Sequence, residues 1–342
     1  MPLLPGSWPG CCDVFYVRLG GHGPRVPGLA IGLWQAGRLW PGRRRGVEEA
    51  VARAVEAGLL FFDTAELYGA GASERLLGGI LSRLGALGDA FIVTKLAGYR
   101  VTWNGFRKAL EASARRLGRK PDLVLYHWPP PYPFSVCHVT RLLERAVDSG
   151  LVSYIGVSNF NAGELERAVE CTRRYEILVD QVQYNMFFRV VEHRLMRVAS
   201  RLHVSLMAWS PLAKGVLAGK TVLDAPAKLL DPVFHRARRA GSLLSELARM
   251  AGRYNSSMAS LALSWIIARG AIPVVGVSSP SHVDDALRAL RLAGEEGVVR
   301  ELMALTGDAS VVEEGCYRVL HWNRLIPPPL QLVLYRVVLG GI

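Results

Sequence analysis

Between Leu29 and Leu290, short apolar runs alternate with amphipathic stretches about eight times, and no linker or change of composition breaks the series. The runs are Leu29–Trp34, Leu60–Asp63, Ala90–Lys95, Leu123–His127, Tyr154–Val157, Leu178–Gln183, Val204–Trp209 and Ile272–Val275. Each is continuous rather than alternating, as in strands buried on both faces of a parallel sheet. The intervening stretches have helical spacing. Val47, Ala50, Val51, Ala54 and Val55 share one face, with Gly58 as a stop. Phe106, Leu110, Ala114 and Leu117 share another, and Ser73 reads as the N-cap of a helix running to about Leu84. Val136–Ser149 and Val191–Leu202 also read as helices. This pattern predicts an α/β chain folded as a single (β/α)8 TIM barrel. The competing fold is an open, doubly wound sheet, whose nucleotide-binding versions use a Gly-rich first turn that is missing here.

The flanks differ from this body. Residues 1–13 carry no period and read as a leader. Val14–Leu19, a Gly-rich turn and Arg25–Pro27 read as an N-terminal hairpin. The barrel then occupies 14–305, and residues 306–342 form a C-terminal extension. That tail includes an apolar run from Leu330 to Leu339, which should be buried: on the barrel, over its mouth, or against a second copy. It is too short and interrupted to span a bilayer, and Met1–Gly10 does not read as a signal peptide. A cytoplasmic protein is expected.

The formal charge is +12, carried by 35 Arg and six Lys dispersed over helical stretches. No nucleic-acid recognition motif accompanies it, so a solvated basic surface is expected and nucleic acid is not. Arg43-Arg44-Arg45 is the densest cluster. The five cysteines lack metal-binding spacing, and no metal site is expected. Their odd number in a large chain reads as reduced thiols.

Three of the strands end in an ionisable group: Asp63, Lys95 and His127. In such barrels the strand C-termini form the active-site face. The loop after Asp63 adds Tyr68. A phenol is a sluggish acid at neutral pH, and a neighbouring ammonium favours its ionised form. A carboxylate would hold that ammonium, and a histidine would donate to a substrate oxygen. The set suits proton transfer at an oxygen that gains or loses negative charge. Each residue alone has a plain structural reading: a buried ion pair, a strand-end histidine, a loop anchor.

Together, FFDTAELYG, IVTKL and LYHWP resemble the motifs of the aldo-keto reductase family, over about Tyr16 to Leu305. The resemblance implies that Tyr68 exchanges a proton with the carbonyl oxygen, Lys95 tunes Tyr68, Asp63 holds Lys95 and His127 orients the carbonyl. Hydride would come from NADPH or NADH. In the same resemblance Gly32, Ser158, Asn159 and Gln183 belong to the cofactor site, the last three at the nicotinamide carboxamide. Trp209 would stack on the ring, and Ser210, Leu212 and Gly215 would meet the pyrophosphate. Ser278 and Ser279 stand where the family often has a basic pair for the 2′-phosphate of NADPH. His282 and Asp285 follow them near the adenine end. This exchange predicts a weakened preference for NADPH over NADH. Trp34 and Trp128, with Trp103 and Trp322 as further candidates, would wall the pocket for a small carbonyl substrate. The rival function is a cofactor-binding regulatory subunit with little turnover, using the tail for self-association or partner binding. A metal-dependent barrel hydrolase is disfavoured, because the rim offers no ligand cluster.

Overall fold

The protein is described by a computed structural model that covers residues 14–37, 43–220, 235, 241–307, 322–331 and 333. Strands β1 (Tyr16–Arg18) and β2 (Arg25–Pro27) pair antiparallel as the expected hairpin. Eight parallel strands then close into a barrel: β3 (Ala30–Gly32), β4 (Phe61–Asp63), β5 (Phe91–Leu96), β6 (Leu123–Tyr126), β7 (Tyr154–Ser158), β8 (Ile177–Gln183), β9 (Ser205–Trp209) and β10 (Ile272–Gly276). β10 pairs back to β3 through Val274–Ala30 and Gly276–Gly32, which completes the ring.

Helices cover the outside: α1 (Arg43–Glu56), α2 (Ala72–Arg83), α3 (Trp103–Leu117), α4 (Val136–Asp148), α5 (Ala162–Cys171), α6 (Leu195–Arg201), α7 (Gly241–Arg253), α8 (Met258–Ala268), α9 (Pro280–Leu292) and α10 (Glu296–Thr306). Their starts are chemically marked. Thr102 accepts the amide of Gly105, Ser135 that of His138 and Ser257 that of Ser260, while Asn161 and Glu164 form a reciprocal capping box. Ser73 departs from expectation. Gly71, at φ 84°, caps α2, and Ser73 lies inside the helix. Its hydroxyl donates to the Leu33 carbonyl at 2.8 Å and meets Thr64 Oγ1, fastening α2 to the loops after β3 and β4. The helix expected over Val191–Leu202 is also split, into a 3₁₀ turn at Val190–Glu192 and α6.

The barrel interior is filled by inward side chains that include Ala30, Phe61, Val93, Leu125, Val179, Met207, Ile272 and Val274. Leu19 and Val26 of the hairpin join this cluster and close the end opposite the active-site face. Outward residues of the strands pack under the helices in two larger clusters. Arg44 and Arg45 pair with Glu48 and Glu49 one turn on, so this part of the basic cluster is a solvated helix face.

The cysteine expectation is corrected. Cys137 in the first turn of α4 and Cys171 at the end of α5 form a disulfide, with Cα atoms 5.2 Å apart. Packing of α4 against α5 brings together residues 34 positions apart, which spacing alone does not signal. The expectations for residues 1–13, for most of the connection 213–240 and for tail residues 308–321 and 334–342 lie outside the described residues. Among the described residues, no helix is long and apolar enough to cross a membrane.

Candidate active site

Strand side chains alternate between faces with a period of two. Phe61 and Val93 fill the barrel interior, so Asp63 and Lys95, two residues on, also face its axis. Counted from Leu125, Val179, Met207 and Val274, the same parity turns His127, Gln181, Trp209 and Gly276 inward. Gly32 and Ser158 share this face. A single alternation rule therefore gathers the strand-borne part of the expected site at the barrel mouth.

Lys95 is its centre. The ammonium donates to Asp63 Oδ1 at 2.5 Å, to the Thr64 carbonyl at 3.0 Å and to the Tyr68 hydroxyl at 3.2 Å. It also lies 5.0 Å from the centre of the Tyr68 ring. Lys95 and Asp63 are both at least 97% buried as side chains, so the pair stands in a low-dielectric site where each charge needs the other. The second oxygen of Asp63 accepts from Gln181 Nε2 at 2.7 Å. The His127 and Tyr68 rings meet edge-on, with centroids 6.1 Å apart.

Burial and charge set the protonation states. Burial lowers the Lys95 pKa, but Asp63 and Tyr68 outweigh it and the net shift is upward, so the ammonium persists at neutral pH. Burial raises the Tyr68 pKa, and the lowering by Lys95 does not fully offset it. The expectation of a net lowering by Lys95 is thus corrected: in this site the phenol remains a proton donor at neutral pH. His127 is pushed well below its usual value, first by burial and then by Lys95. It is a neutral imidazole, suited to hydrogen bonding rather than to carrying charge.

The carboxamide residues are knitted to one another. Ser158 donates to the Gln181 carbonyl at 2.7 Å. Asn159, at φ 62°, donates to the His127 carbonyl and to Ser158 Oγ, and accepts from the Trp209 indole at 2.9 Å. It ties β6, β7 and β9 together and fixes the Trp209 ring. Gln183 ends β8 in register with Trp209 and is buried. The glutamine bonded to the Asp63–Lys95 pair is Gln181, which sequence reasoning passed over. Both lie in DQVQYN two residues apart on one face, so the motif marked the strand face but not which residue bonds Asp63.

Beyond β9, Ser210, Ala213 and Lys214 adopt positive φ values of 54°, 46° and 57°, and Gly215 follows at 97°. Left-handed backbone at non-glycine residues costs of order 1 kcal/mol each and clusters at functional sites. Leu212 anchors the turn by accepting the amides of Gly215 and Leu217. After β10, the Ser278 amide donates to His282 Nδ1 at 3.2 Å, and Ser279 meets Ser281. Burial and then the nearby Lys220 ammonium lower the His282 pKa, so this histidine is neutral at neutral pH. Lys220, which sequence reasoning missed, brings a cation to this quarter of the mouth. Asp285 is engaged elsewhere: it accepts from Ser257 at 2.6 Å and from Ser260, joining α8 to α9.

Trp128 is buried against Ala97, Tyr99 and Leu67 beside His127. Its indole donates to Gln331 Oε1 at 3.3 Å. Gln331 belongs to the tail, and so does Arg324, which bonds Glu164 at 2.5 Å and whose carbonyl accepts the Tyr132 amide. The described part of the tail therefore packs beside the mouth, on the loop that follows His127. Trp34 opens the 3₁₀ turn Trp34–Gly37 and is 42% exposed. Trp103 is corrected as a pocket wall: it packs on the helical layer under the Arg145 guanidinium, 4.3 Å from its ring. The side chain of Trp322 lies outside the described part.

Among the described residues, two buried polar atoms at the mouth lack a hydrogen-bond partner, His127 Nδ1 and Gln35 Oε1. A ringed, inward-facing layer of donors with such open valences fits a polar organic ligand. Comparison with known proteins agrees with this geometry. A 26% identical solved structure, the thermostable aldo-keto reductase Tm1743 in complex with the inhibitor epalrestat, superposes with a TM-score of 0.70 over 85% of this chain and 99% of its own. An aldo/keto reductase from Klebsiella pneumoniae bound to NADP and acetate, 24% identical, matches with a TM-score of 0.70 over 86% of this chain and 98% of its own, and speaks to the fold. A candidate aryl-alcohol dehydrogenase of Schizosaccharomyces pombe is 28% identical over 84% of this chain and 94% of its own length. The aldo/keto reductase family model matches residues 28–305, so the barrel that carries this site belongs to the aldo/keto reductase family.

Proposed function

We propose that the protein reduces the carbonyl group of small aldehydes or ketones, aromatic ones included, with NADPH as hydride donor and Tyr68 as proton donor. Membership of the family makes it a nicotinamide-dependent carbonyl oxidoreductase. The observation that carries the finer reading is the Asp63–Lys95–Tyr68 chain at 2.5 and 3.2 Å, buried at the barrel mouth. The cofactor, when bound, supplies the hydride that no side chain can. Ser158, Asn159 and Gln183, with Gln181, would hold its carboxamide, and Trp209 its ring. Ser210, Leu212 and Gly215 would take the pyrophosphate.

The chain's own residues do the rest. His127, neutral and half-buried, presents a ring N–H to the carbonyl oxygen. Tyr68 places its hydroxyl at the same oxygen and gives up its proton as negative charge develops there. Lys95 stabilises the resulting phenolate at once, and Asp63 keeps Lys95 charged and fixed through the cycle. Gln181 holds the far oxygen of Asp63, so the carboxylate cannot swing away. In the oxidative direction each transfer reverses. The proteins named as aryl-alcohol dehydrogenases and the apolar wall at Tyr99 and Trp128 both favour aryl substrates. An intact proton path favours turnover over the regulatory-subunit reading. A cytoplasmic location is part of the proposal, and a disulfide suits that location chiefly in cells that grow hot.

Cofactor choice follows from charge. Ser278 and Ser279 can hydrogen-bond a 2′-phosphate without neutralising it, and His282 is neutral. Lys220 supplies the nearby positive charge. NADPH is therefore preferred over NADH, by less than roughly 1000-fold (~4 kcal/mol) in kcat/KM. The test is oxidation of each reduced cofactor with a panel of aryl and alkyl aldehydes, repeated with Lys220→Ala. A ratio that drops in the variant supports the assignment, and a ratio above that bound contradicts it.

A further inference from the structure

Tyr68 differs from its partners in how it is carried. Asp63 and Lys95 stand on barrel strands, and His127 directly follows one, whereas Tyr68 hangs on a loop five residues beyond β4. The 3.2 Å between its hydroxyl and the Lys95 ammonium therefore depends on how that loop is held. Glu66 lies in the loop, two residues before Tyr68, and its side chain is only 6% exposed. Its Oε1 accepts the Ala97 amide at 2.8 Å and Arg100 Nε at 3.2 Å, and its Oε2 accepts Arg100 Nη2 at 2.9 Å. Its own amide donates to the Lys95 carbonyl at 3.1 Å, and Leu67 packs on the cluster of Ala97, Tyr99 and Trp128.

All the Glu66 contacts just described fall on one segment, Lys95 to Arg100, which is the end of β5 and the turn beyond it. The loop that presents the phenol is thus fastened to the strand that presents the ammonium. A plain ion pair bracing two loops would need only Arg100. The bond from the Ala97 amide is different, because a backbone N–H needs an acceptor at a set distance, whatever its charge. A buried ion pair adds little stability over apolar residues of the same volume, and fixing register is its best-attested use. We propose that Glu66 is a positioning residue: by its reach rather than its charge, it sets the register of the Tyr68 loop on β5 and so the placing of the Tyr68 hydroxyl against Lys95. The inference rests on the reading of Tyr68 as the proton donor.

The test separates reach from charge. Glu66→Gln keeps the length and the Oε1 acceptor, and Glu66→Asp keeps the charge but is one methylene shorter. Single-turnover oxidation of pre-bound NADPH by an aryl aldehyde should stay within about threefold of wild type in Glu66→Gln. It should slow about tenfold in Glu66→Asp, below the ~100-fold that a full 1 Å misplacement can cost. NADPH affinity should be unchanged in both. Burial raises the Tyr68 pKa and Lys95 restrains it, so a displaced phenol loses the restraint. In alcohol oxidation, which needs the phenolate, the rising pH limb should therefore move to higher pH in Glu66→Asp. Added to Tyr68→Phe, Glu66→Asp should bring no further slowing, since it acts only through Tyr68. A Glu66→Gln protein as slow as Glu66→Asp or slower overturns the proposal, because a mere ion pair predicts that order. Wild-type rates in Glu66→Asp, or equal slowing with and without the Tyr68 hydroxyl, overturn it too. Undiminished turnover in Tyr68→Phe alone overturns the proton-donor reading beneath it, a distinct result.

Discussion

At the scale of single residues, the site is governed by what burial does to ionisable groups. Lys95 keeps its charge because Asp63 answers it, whereas His127 loses its charge because nothing does. Tyr68 sits between these cases, raised by burial and restrained by Lys95. Carbonyl reduction needs the protonated phenol, so kcat/KM should stay level through neutral pH and fall only above about pH 10, the ordinary phenol value. A descending limb near pH 7 to 8 would contradict the assignment. Away from the mouth, Asp180 on β8 is fully buried, with Oδ2 unpartnered. Burial and then Glu164 hold its pKa well above the usual carboxylate value, against a lowering hydrogen bond from Phe160. Its folded pKa is raised, so its stabilising contribution is complete below the unfolded value near 4 and is lost as pH rises through the folded one. Asp180→Asn should therefore raise the Tm at pH 7 and flatten the pH dependence of stability above pH ~4. An unchanged or lower Tm at pH 7 would show that the ionised form is tolerated.

At the scale of elements, the strand ends and the barrel's alternation were legible because both are local. An apolar run that stops at Asp63, Lys95 or His127 announces where the strand leaves the core. Contacts between distant elements were not legible. The Gln181–Asp63 bond spans 118 positions, and Gln331–Trp128 spans 203. Neither partner looks unusual in its own neighbourhood. Ser73 is a similar case: its type fits a helix cap, but the helix already starts at Gly71 and the Ser73 hydroxyl donates to the Leu33 carbonyl, 40 positions away. The tail and the disulfide are the elements to test. Removing residues 326–342 takes away Gln331, which accepts a hydrogen bond from the Trp128 indole beside the mouth. It should raise KM for aryl aldehydes several-fold, ~1 kcal/mol for one buried hydrogen bond, while cofactor affinity holds. An unchanged KM would place the tail outside the substrate pocket. The same deletion probes self-association by sedimentation, since it removes the exposed Leu330 and Val333. Cys137→Ser should cost about 2–4 kcal/mol in denaturant unfolding under non-reducing conditions, and a reductant should do the same to the wild type. Equal stability in all three states would mean the bridge does not form in solution.

At the scale of the whole molecule, a single architectural rule explains why so sparse a set of motifs could be trusted. A closed parallel barrel places all its strand ends on one face, so residues 32 to 276 in the chain converge without any local signal of proximity. The hairpin seals the opposite end with Leu19 and Val26, which leaves the C-terminal mouth as the open one. Rim identity was readable to that extent. What lay beyond it came from loops, where the outcome depends on which distant group arrives first: Lys220 beside His282, Gln331 on Trp128. The surplus of arginine over acid on the surface adds a general attraction for an anionic cofactor, sensitive to salt, without specifying the site.

The central claim is that Tyr68 is the proton donor, and Tyr68→Phe tests it most directly. Single-turnover oxidation of pre-bound NADPH by an aryl aldehyde should slow by about 100-fold or more, within the range for loss of a general acid. NADPH affinity should remain that of the wild type. Undiminished turnover in the phenylalanine variant would contradict the account and move the proton to another group at the mouth.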